Sequence, residues 1–197
     1  MKLADPALVT LLQKAYSGEK AAALAYIGHA ASLRSPAAKA AVKQIEADEW
    51  SHRENLRVLM LQYDVPVSRA LEVRCHLLGK AIAFSCHLIG WFMPYYFAGK
   101  LESGNVCEYF VMMRYFHGLG IHDHDEVLYE MGMKEKEHEV YFLEQIRHSR
   151  LLPLFERSFG WGPSRKVNDL DLQDPPRLED SHRYCRRYGP GSGSKQG

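Results

Sequence analysis

Two short motifs constrain the fold of this chain most, because each places an acid and a histidine on the same face of a helix. Glu49 stands three residues before His52, and Glu135 stands three residues before His138. Residues three apart on an α-helix are neighbours on its surface. Apolar residues continue each face at three- and four-residue spacing: Val42, Ile45, Leu56 and Leu59 around the first motif, and Leu128, Met131, Phe142 and Ile146 around the second. The pattern predicts ionisable side chains inside a helical core.

A further glutamate precedes each motif by about the length of a helical hairpin. Glu19 lies 30 residues before Glu49, and Glu108 lies 27 residues before Glu135. Glu19 falls within the apolar stripe of its predicted helix, whereas Glu108 follows its stripe less closely. The repeated arrangement predicts two half-sites, each with two carboxylates and one imidazole.

Four buried carboxylates require a counter-charge, since an uncompensated buried charge costs several kcal/mol. Two divalent cations provide it, and the oxygen and nitrogen ligands favour two iron ions, with manganese as the alternative, over a structural zinc. This ligand set is typical of the dinuclear carboxylate sites of ferritin-like helical bundles. The competing interpretation is that the motifs are surface acids and histidines, as we assume for a third copy, Glu179 with His182, in a polar segment.

Length and composition predict one helical domain over residues 1–162 and a polar, loosely ordered tail over residues 163–197. The net charge of +1 argues against a nucleic-acid partner. The four cysteines form no close pair, which favours reduced thiols in the cytoplasm. The N-terminus lacks the apolar run of a signal peptide.

The helices are predicted from their periodicity and from capping residues. The first covers residues 6–33 and the second begins at Ser35-Pro36 and ends near Gln62. Gly104-Asn105 is expected to break the chain before the fourth helix, which Gly118 and Gly120 end. The fifth helix is expected to reach Arg150, and a short helix follows it. The acids that follow His122 are interpreted as the N-terminal residues of the fifth helix rather than as a metal cluster.

A stretch of nineteen residues from Ala81 to Gly99 contains no Asp, Glu, Lys or Arg. His87, Gly90 and Pro94 interrupt it, which argues against a membrane span. Its aromatic residues, including Trp91, favour contact with a membrane surface or the wall of a substrate channel, with a buried bundle helix as the alternative.

The ligand pattern resembles the ferritin-like di-iron proteins, together with the sequence from Ala15 to Ala22 and the apolar stretch. Within this superfamily the chain is most similar to the demethoxyubiquinone hydroxylase family, over roughly residues 10–150. The resemblance implies an all-α, four-helix bundle with an additional apolar helix between the two metal-binding hairpins. The iron ligands that it implies are Glu19, Glu49, His52, Glu108, Glu135 and His138.

The resemblance also implies an activity. We expect an oxygen-dependent di-iron oxidase or monooxygenase that hydroxylates an apolar, quinone-like substrate taken from the membrane surface. Arg114-Tyr115 stands where the family has a His-Tyr pair, so Tyr115 is the catalytic candidate. Alternatives are a ferroxidase or peroxide-reducing protein, a hydroxylase of modified tRNA, and a membrane-attached interaction protein without enzymatic activity. The expected location is cytoplasmic, peripheral to the cytoplasmic membrane face, and a homodimer is left open.

Overall fold

Seven helices account for most of the described residues of the chain. In the computed structural model these residues are 2, 3, 5–165, 168 and 170–185. The helices are α1 (Pro6–Ser32), α2 (Pro36–Gln62), α3 (Arg69–Ser85), α4 (Phe92–Gly118), α5 (Asp125–Ile146), α6 (Leu152–Phe159) and α7 (Leu178–Ser181). No strand occurs among these residues beyond an isolated bridge between Gly162 and Arg165. The prediction of an all-helical protein is confirmed.

Side-chain caps fix where the first three helices begin. The Asp5 carboxylate accepts hydrogen bonds from the amides of the first turn of α1. Ser35 caps α2 and Ser68 caps α3 in the same way, and a proline occupies the first turn of both α1 and α2. The starts predicted from Ser35-Pro36 and Ser68 are therefore confirmed.

The chain divides into two compact units, Met1–Pro94 and Tyr95–Gly197. In the first unit α1 packs against both α2 and α3. Two glycines allow α1 and α3 to approach closely. A Cβ atom on Gly79 would lie 2.6 Å from the carbonyl oxygen of Ala21, and one on Gly28 would overlap the backbone of Ala83. The α1–α3 contact thus depends on residues that lack a side chain.

The apolar stretch from Ala81 to Gly99 does not form one additional helix. It contains the end of α3, a turn and the beginning of α4, and Gly90 adopts the left-handed φ of 78° within the turn. Glycine adopts this conformation without steric cost, so Gly90 separates the two helices. Among the described helices, none has the length and apolarity needed to cross a membrane.

The break predicted at Gly104-Asn105 is wrong, because α4 continues through both residues. The Asn105 side chain donates a hydrogen bond to Glu102 Oε2 at 3.1 Å, within the same helix face. A glycine inside a helix costs about 1 kcal/mol relative to alanine, which a helix of 27 residues tolerates.

Helix α6 packs on α4 in the second unit through aromatic residues. The Tyr96 hydroxyl contacts the carbonyl oxygens of Phe155 and Trp161 at 2.9 and 2.8 Å. The Tyr96 ring also packs edge-on against both aromatic rings. This confirms the predicted short helix and fixes the chain that follows it. Helix α5 ends at Ile146, one turn before the predicted Arg150.

The segment predicted as a loosely ordered tail contains buried residues and a short helix within its described part. Asn168 and Leu170 are buried, and α7 follows. The guanidinium group of Arg114 donates to the carbonyl oxygens of Tyr184 and Cys185. Residues 186–197 lie outside the described residues, as do 166, 167 and 169.

The prediction of four reduced thiols is wrong for two of the cysteines. Cys107 on α4 forms a disulfide with Cys185, 78 residues later in the chain. Cys75 and Cys86 are free thiols. A pairing over such a separation leaves no signal in the local spacing of cysteines, which is why sequence reasoning missed it.

Candidate metal centre

The first unit carries Glu19, Glu49 and His52, and we call these three residues the first half-site. All three side chains are buried, and Glu49 is fully inaccessible to solvent. One ligand atom of each lies within 4.8 Å of a ligand atom of the other two. Helix α1 supplies Glu19, and α2 supplies the other two from adjacent turns, as the three-residue spacing predicts.

A network of charged side chains lies beside the first half-site. The Arg53 guanidinium donates to both carboxylate oxygens of Glu72 on α3, at 3.0 and 2.9 Å. Lys20 Nζ donates to the same carboxylate at 3.0 Å, and Arg53 also lies 3.6 Å from the centre of the Tyr16 ring. Lys20 directly follows Glu19 and Arg53 directly follows His52. The network therefore fixes how α1 and α2 present their ligands.

The second unit carries Glu102, Glu135 and His138, which we call the second half-site. Glu102 and Glu135 have no solvent-accessible surface, and His138 is buried beside them. Their ligand atoms also lie within 4.8 Å of one another. His138 Nδ1 is 3.9 Å from Glu135 Oε2.

A buried polar network supports the second half-site. Lys136 Nζ donates to Glu139 Oε2 at 2.8 Å and to Asn168 Oδ1 at 3.0 Å. Asn168 Nδ2 in turn donates to Glu139 Oε2 at 3.1 Å and to the Ser103 carbonyl oxygen at 3.0 Å. Trp161 Nε1 donates to the other oxygen of Glu139 at 3.0 Å. The network ties α4 to α5 one residue away from each of the three ligands.

Glu108, a ligand predicted from the sequence, is not part of the second half-site. It is half-exposed on α4, and Glu102 is the acid beside Glu135. Six residues of helix separate these two positions by about 9 Å along the axis and about 120° around it, so they cannot serve the same point. Sequence reasoning missed Glu102 because it predicted a helix break at Gly104. In the continuous α4, Glu102 lies on the same buried face as Val106, Tyr109 and Met113.

Tyr115, the catalytic candidate, is also distant from the second half-site. It follows Glu102 by 13 residues on the same helix, which corresponds to about 20 Å along the axis. Its neighbour Arg114 holds the carbonyl oxygens of the C-terminal segment. Arg114 therefore anchors the C-terminal segment in this structure, and because of its distance from the half-site we assign Tyr115 no catalytic role.

Because the carboxyl groups of both half-sites are buried, their charged form is unfavourable unless a cation is present. Burial raises the pKa of Glu49 to about 7, opposed by its hydrogen bond with Glu19 and assisted by Asp48. Burial also raises the pKa of Glu102 well above its ordinary range, and the neighbouring Glu135 adds to the rise. A carboxyl group in these surroundings either keeps its proton or faces a positive ion.

The donor set of each half-site fits a divalent metal ion. Carboxylate oxygens and a single imidazole suit iron or manganese, whereas structural zinc usually recruits thiolates. The cysteines described above do not belong to either group. Each half-site therefore has the chemistry of three ligands for one such ion.

A cavity of about 530 Å³ opens in the first unit, away from the ligands. His29, Arg34, Cys86 and Trp91 are among the residues that line it. His29 follows Glu19 by ten residues on α1, about 15 Å along the helix. Burial lowers the pKa of His29 to about 4, so its imidazole is neutral. The cavity is thus a separate feature from the half-sites.

Comparison with known proteins adds no assignment: no protein family, curated protein or solved structure matches the chain.

Proposed function

We propose that the protein is a ferritin-like, dinuclear metal oxidoreductase that binds two iron ions. In this proposal Glu19, Glu49 and His52 supply the ligands of the first unit. Glu102, Glu135 and His138 supply those of the second. Manganese is the alternative ion, because the same ligands suit it.

The observation that carries the proposal is the repetition of one buried ligand set in both compact units. Each unit buries two glutamates and one histidine with ligand atoms within 4.8 Å of one another. Four carboxylates balance the charge of two divalent ions, and neutral imidazoles complete the ligands. The same combination of residues defines the dinuclear carboxylate sites of helical bundles.

The proposed reaction is the oxygen-dependent oxidation or hydroxylation of an apolar substrate. When bound, two ferrous ions would supply two electrons and open coordination positions for dioxygen, and an external two-electron reductant would return them to the ferrous state after each turnover. The role of the protein is to supply six ligands and to exclude water from them, and all six side chains are buried. The charged networks beside the ligands keep the side chains in position, as outer partners of metal ligands commonly do.

The choice of an apolar substrate is supported by the exposed surface of α3 and the turn that follows it. Leu77, Leu78, Phe84, Leu88 and Trp91 are each more than half exposed. A surface of this kind indicates an interaction with a membrane or another apolar partner. In our proposal this surface, which we call the apolar surface, rests on a lipid bilayer from which a quinone-like substrate is taken.

The decisive experiment is metal analysis of the purified chain. We expect about two iron ions per chain in the wild type, with a visible absorption band after aeration. Glu49→Ala and His138→Ala should each lose both ions if the half-sites form one dinuclear centre. Retention of one ion in each variant would show two independent mononuclear sites and would overturn the proposal. Turnover of hydrogen peroxide without an organic substrate would favour the peroxide-reducing alternative.

A further inference from the structure

A second group of metal-ligating side chains lies in the second unit, apart from the half-sites. It consists of His117 at the end of α4, His122 in the following turn, Asp125 at the start of α5 and His182 after α7. The first three residues lie within one stretch of nine residues, and His182 follows Asp125 by 57 residues in the sequence. We call them the histidine cluster.

The ligand atoms of His117, His122 and Asp125 lie close enough together to bind one ion. His117 Nε2 lies 2.7 and 2.8 Å from the two carboxylate oxygens of Asp125. His122 Nδ1 lies 3.8 Å from Asp125 Oδ2, and one ligand atom of each of the three residues lies within 4.8 Å of the others. Ligands of a tetrahedral zinc ion lie about 3.3 Å apart, so side-chain adjustment is sufficient.

Three imidazole rings meet at His117. The ring centre of His117 lies 4.2 Å from that of His122 and 4.8 Å from that of His182. Three protonated rings at this separation would repel one another, whereas neutral imidazoles are the form that binds metals.

We propose that the histidine cluster binds one zinc ion through His117, His122, Asp125 and His182. Three imidazoles and one carboxylate provide four ligands of types that zinc accepts, and this imidazole-rich set differs from the carboxylate-rich half-sites. The ion joins the turn between α4 and α5 to the C-terminal segment. This inference is independent of the proposed oxidoreductase function.

The surroundings hold His182 in place for this role. Arg114 donates to the carbonyl oxygen of Cys185 at 3.1 Å and lies 3.5 Å from that of His182. The disulfide between Cys107 and Cys185 anchors the same segment to α4. Two attachments on α4 therefore fix the backbone of the one ligand that is distant in sequence. If His117 and Asp125 formed only a hydrogen bond with each other, the nearby His122 and His182 would have no part in it, whereas a metal site uses all four residues.

The test is zinc binding by the full-length chain after removal of metals. A double variant, Glu49→Ala with Glu135→Ala, removes the proposed dinuclear centre and should still bind one zinc ion per chain. Cobalt in place of zinc should give the intense visible absorption of a four-coordinate ion. Absence of zinc binding by the double variant would contradict the inference, provided that circular dichroism shows it to be folded.

Single variants identify the ligands in the otherwise intact chain. His122→Ala and His182→Ala should each bind one zinc ion fewer than the wild type. The His122 side chain is 63% exposed, so its removal leaves the fold intact. His148→Ala is the matched control, because His148 is an exposed histidine outside the cluster, and it should bind as the wild type does. Unchanged zinc binding in His122→Ala or His182→Ala would overturn the assignment.

Discussion

Arg53 and Glu72 join α2 to α3 through two parallel hydrogen bonds of 3.0 and 2.9 Å. The relationship has a counterpart in the second unit, where Lys136 and Glu139 are paired at 2.8 Å. Arg53, Lys136 and Glu139 each directly follow a proposed ligand, and neighbours on a helix point about 100° apart. The ligand thus faces the site while the next residue reaches a partner beside it. Both networks fix the rotation of the helices that carry the ligands.

Replacing Glu72 tests what the first network contributes to stability. Glu72→Gln keeps the shape of the side chain but leaves Arg53 and Lys20 without their counter-charge, at side-chain exposures of 14% and 24%. We expect a loss of about 1–3 kcal/mol in the free energy of unfolding, measured with urea. Glu54→Gln is the control, because its salt bridge with Arg57 is exposed and should contribute about 0.5 kcal/mol or less. Equal effects of both variants would contradict this prediction.

The same residue should make stability depend on pH. Burial would raise the pKa of Glu72, but hydrogen bonds from Arg53, Lys20 and Ser17 outweigh burial and lower it below the ordinary 4.5. A lowered pKa in the folded state means that the stabilisation is complete above 4.5 and is lost as pH falls through the lower value. The difference in unfolding free energy between wild type and Glu72→Gln should therefore shrink below pH 4.5. A difference that stays constant down to pH 3 would contradict the prediction.

Asn168 is the corresponding test residue in the second network. Its buried amide contacts Lys136, Glu139 and Ser103. Asn168→Ala removes one hydrogen bond from each of these buried groups, so we expect a loss of about 2–4 kcal/mol in unfolding free energy. Gln145→Ala, on the exposed side of α5, should change it by about 0.5 kcal/mol or less. A similar small effect of Asn168→Ala would show that the C-terminal segment adds little to this unit.

The sequence predicts the first unit better than the second, for physical reasons. In α1 and α2 the caps, the apolar stripe and the ligands all follow local rules, so Glu19, Glu49 and His52 are recognised together. In α4, Gly104 and Asn105 resemble a helix break, but tertiary packing keeps the helix continuous. Because the sequence predicts that the helix begins after these residues, it predicts Glu108 and not Glu102 as the ligand. Local propensity is a weak guide where tertiary contacts decide.

Long-range pairings account for most of what the sequence does not predict. The disulfide of Cys107 and the contact of Asn168 with Ser103 join segments more than sixty residues apart. The histidine cluster has the same origin, because His182 reaches His117 only when the C-terminal segment folds onto α4. None of these pairings has a periodic or short-range pattern in the chain. The sequence therefore predicts a loosely ordered tail, free thiols and a helix start in their place.

The iron content of variants at two acids on α4 tests whether the ligand is Glu108, as the sequence predicts, or Glu102, as the structure indicates. Glu102→Ala removes a fully buried carboxylate beside Glu135, so we expect the iron content to fall below one ion per chain. Glu108→Ala removes a half-exposed carboxylate on another face and should leave the iron content at that of the wild type. Circular dichroism controls for folding in both variants. The reverse order of effects would restore Glu108 as the ligand.

Binding to lipid vesicles tests the role proposed for the apolar surface. Phe84, Leu88 and Trp91 are 68%, 68% and 59% exposed, and their combined replacement by serine should lower co-sedimentation at least fivefold. The reason is the transfer of apolar side chains out of the bilayer interface, at roughly 1.5–3 kcal/mol for each one fully buried there. Vesicles of phosphatidylcholine with a fifth of phosphatidylglycerol are a suitable probe.

The matched control for the vesicle experiment is a double variant on α2. Val58 and Leu61 are also exposed, at 54% and 63%, but they do not belong to the apolar surface. Their replacement by serine should leave vesicle binding unchanged if the apolar surface is the specific contact. Equal losses in both variants would indicate nonspecific adsorption. Absence of binding by the wild type would remove the bilayer from the proposal and leave the substrate to be taken from solution, while the metal centre would be tested separately by iron content.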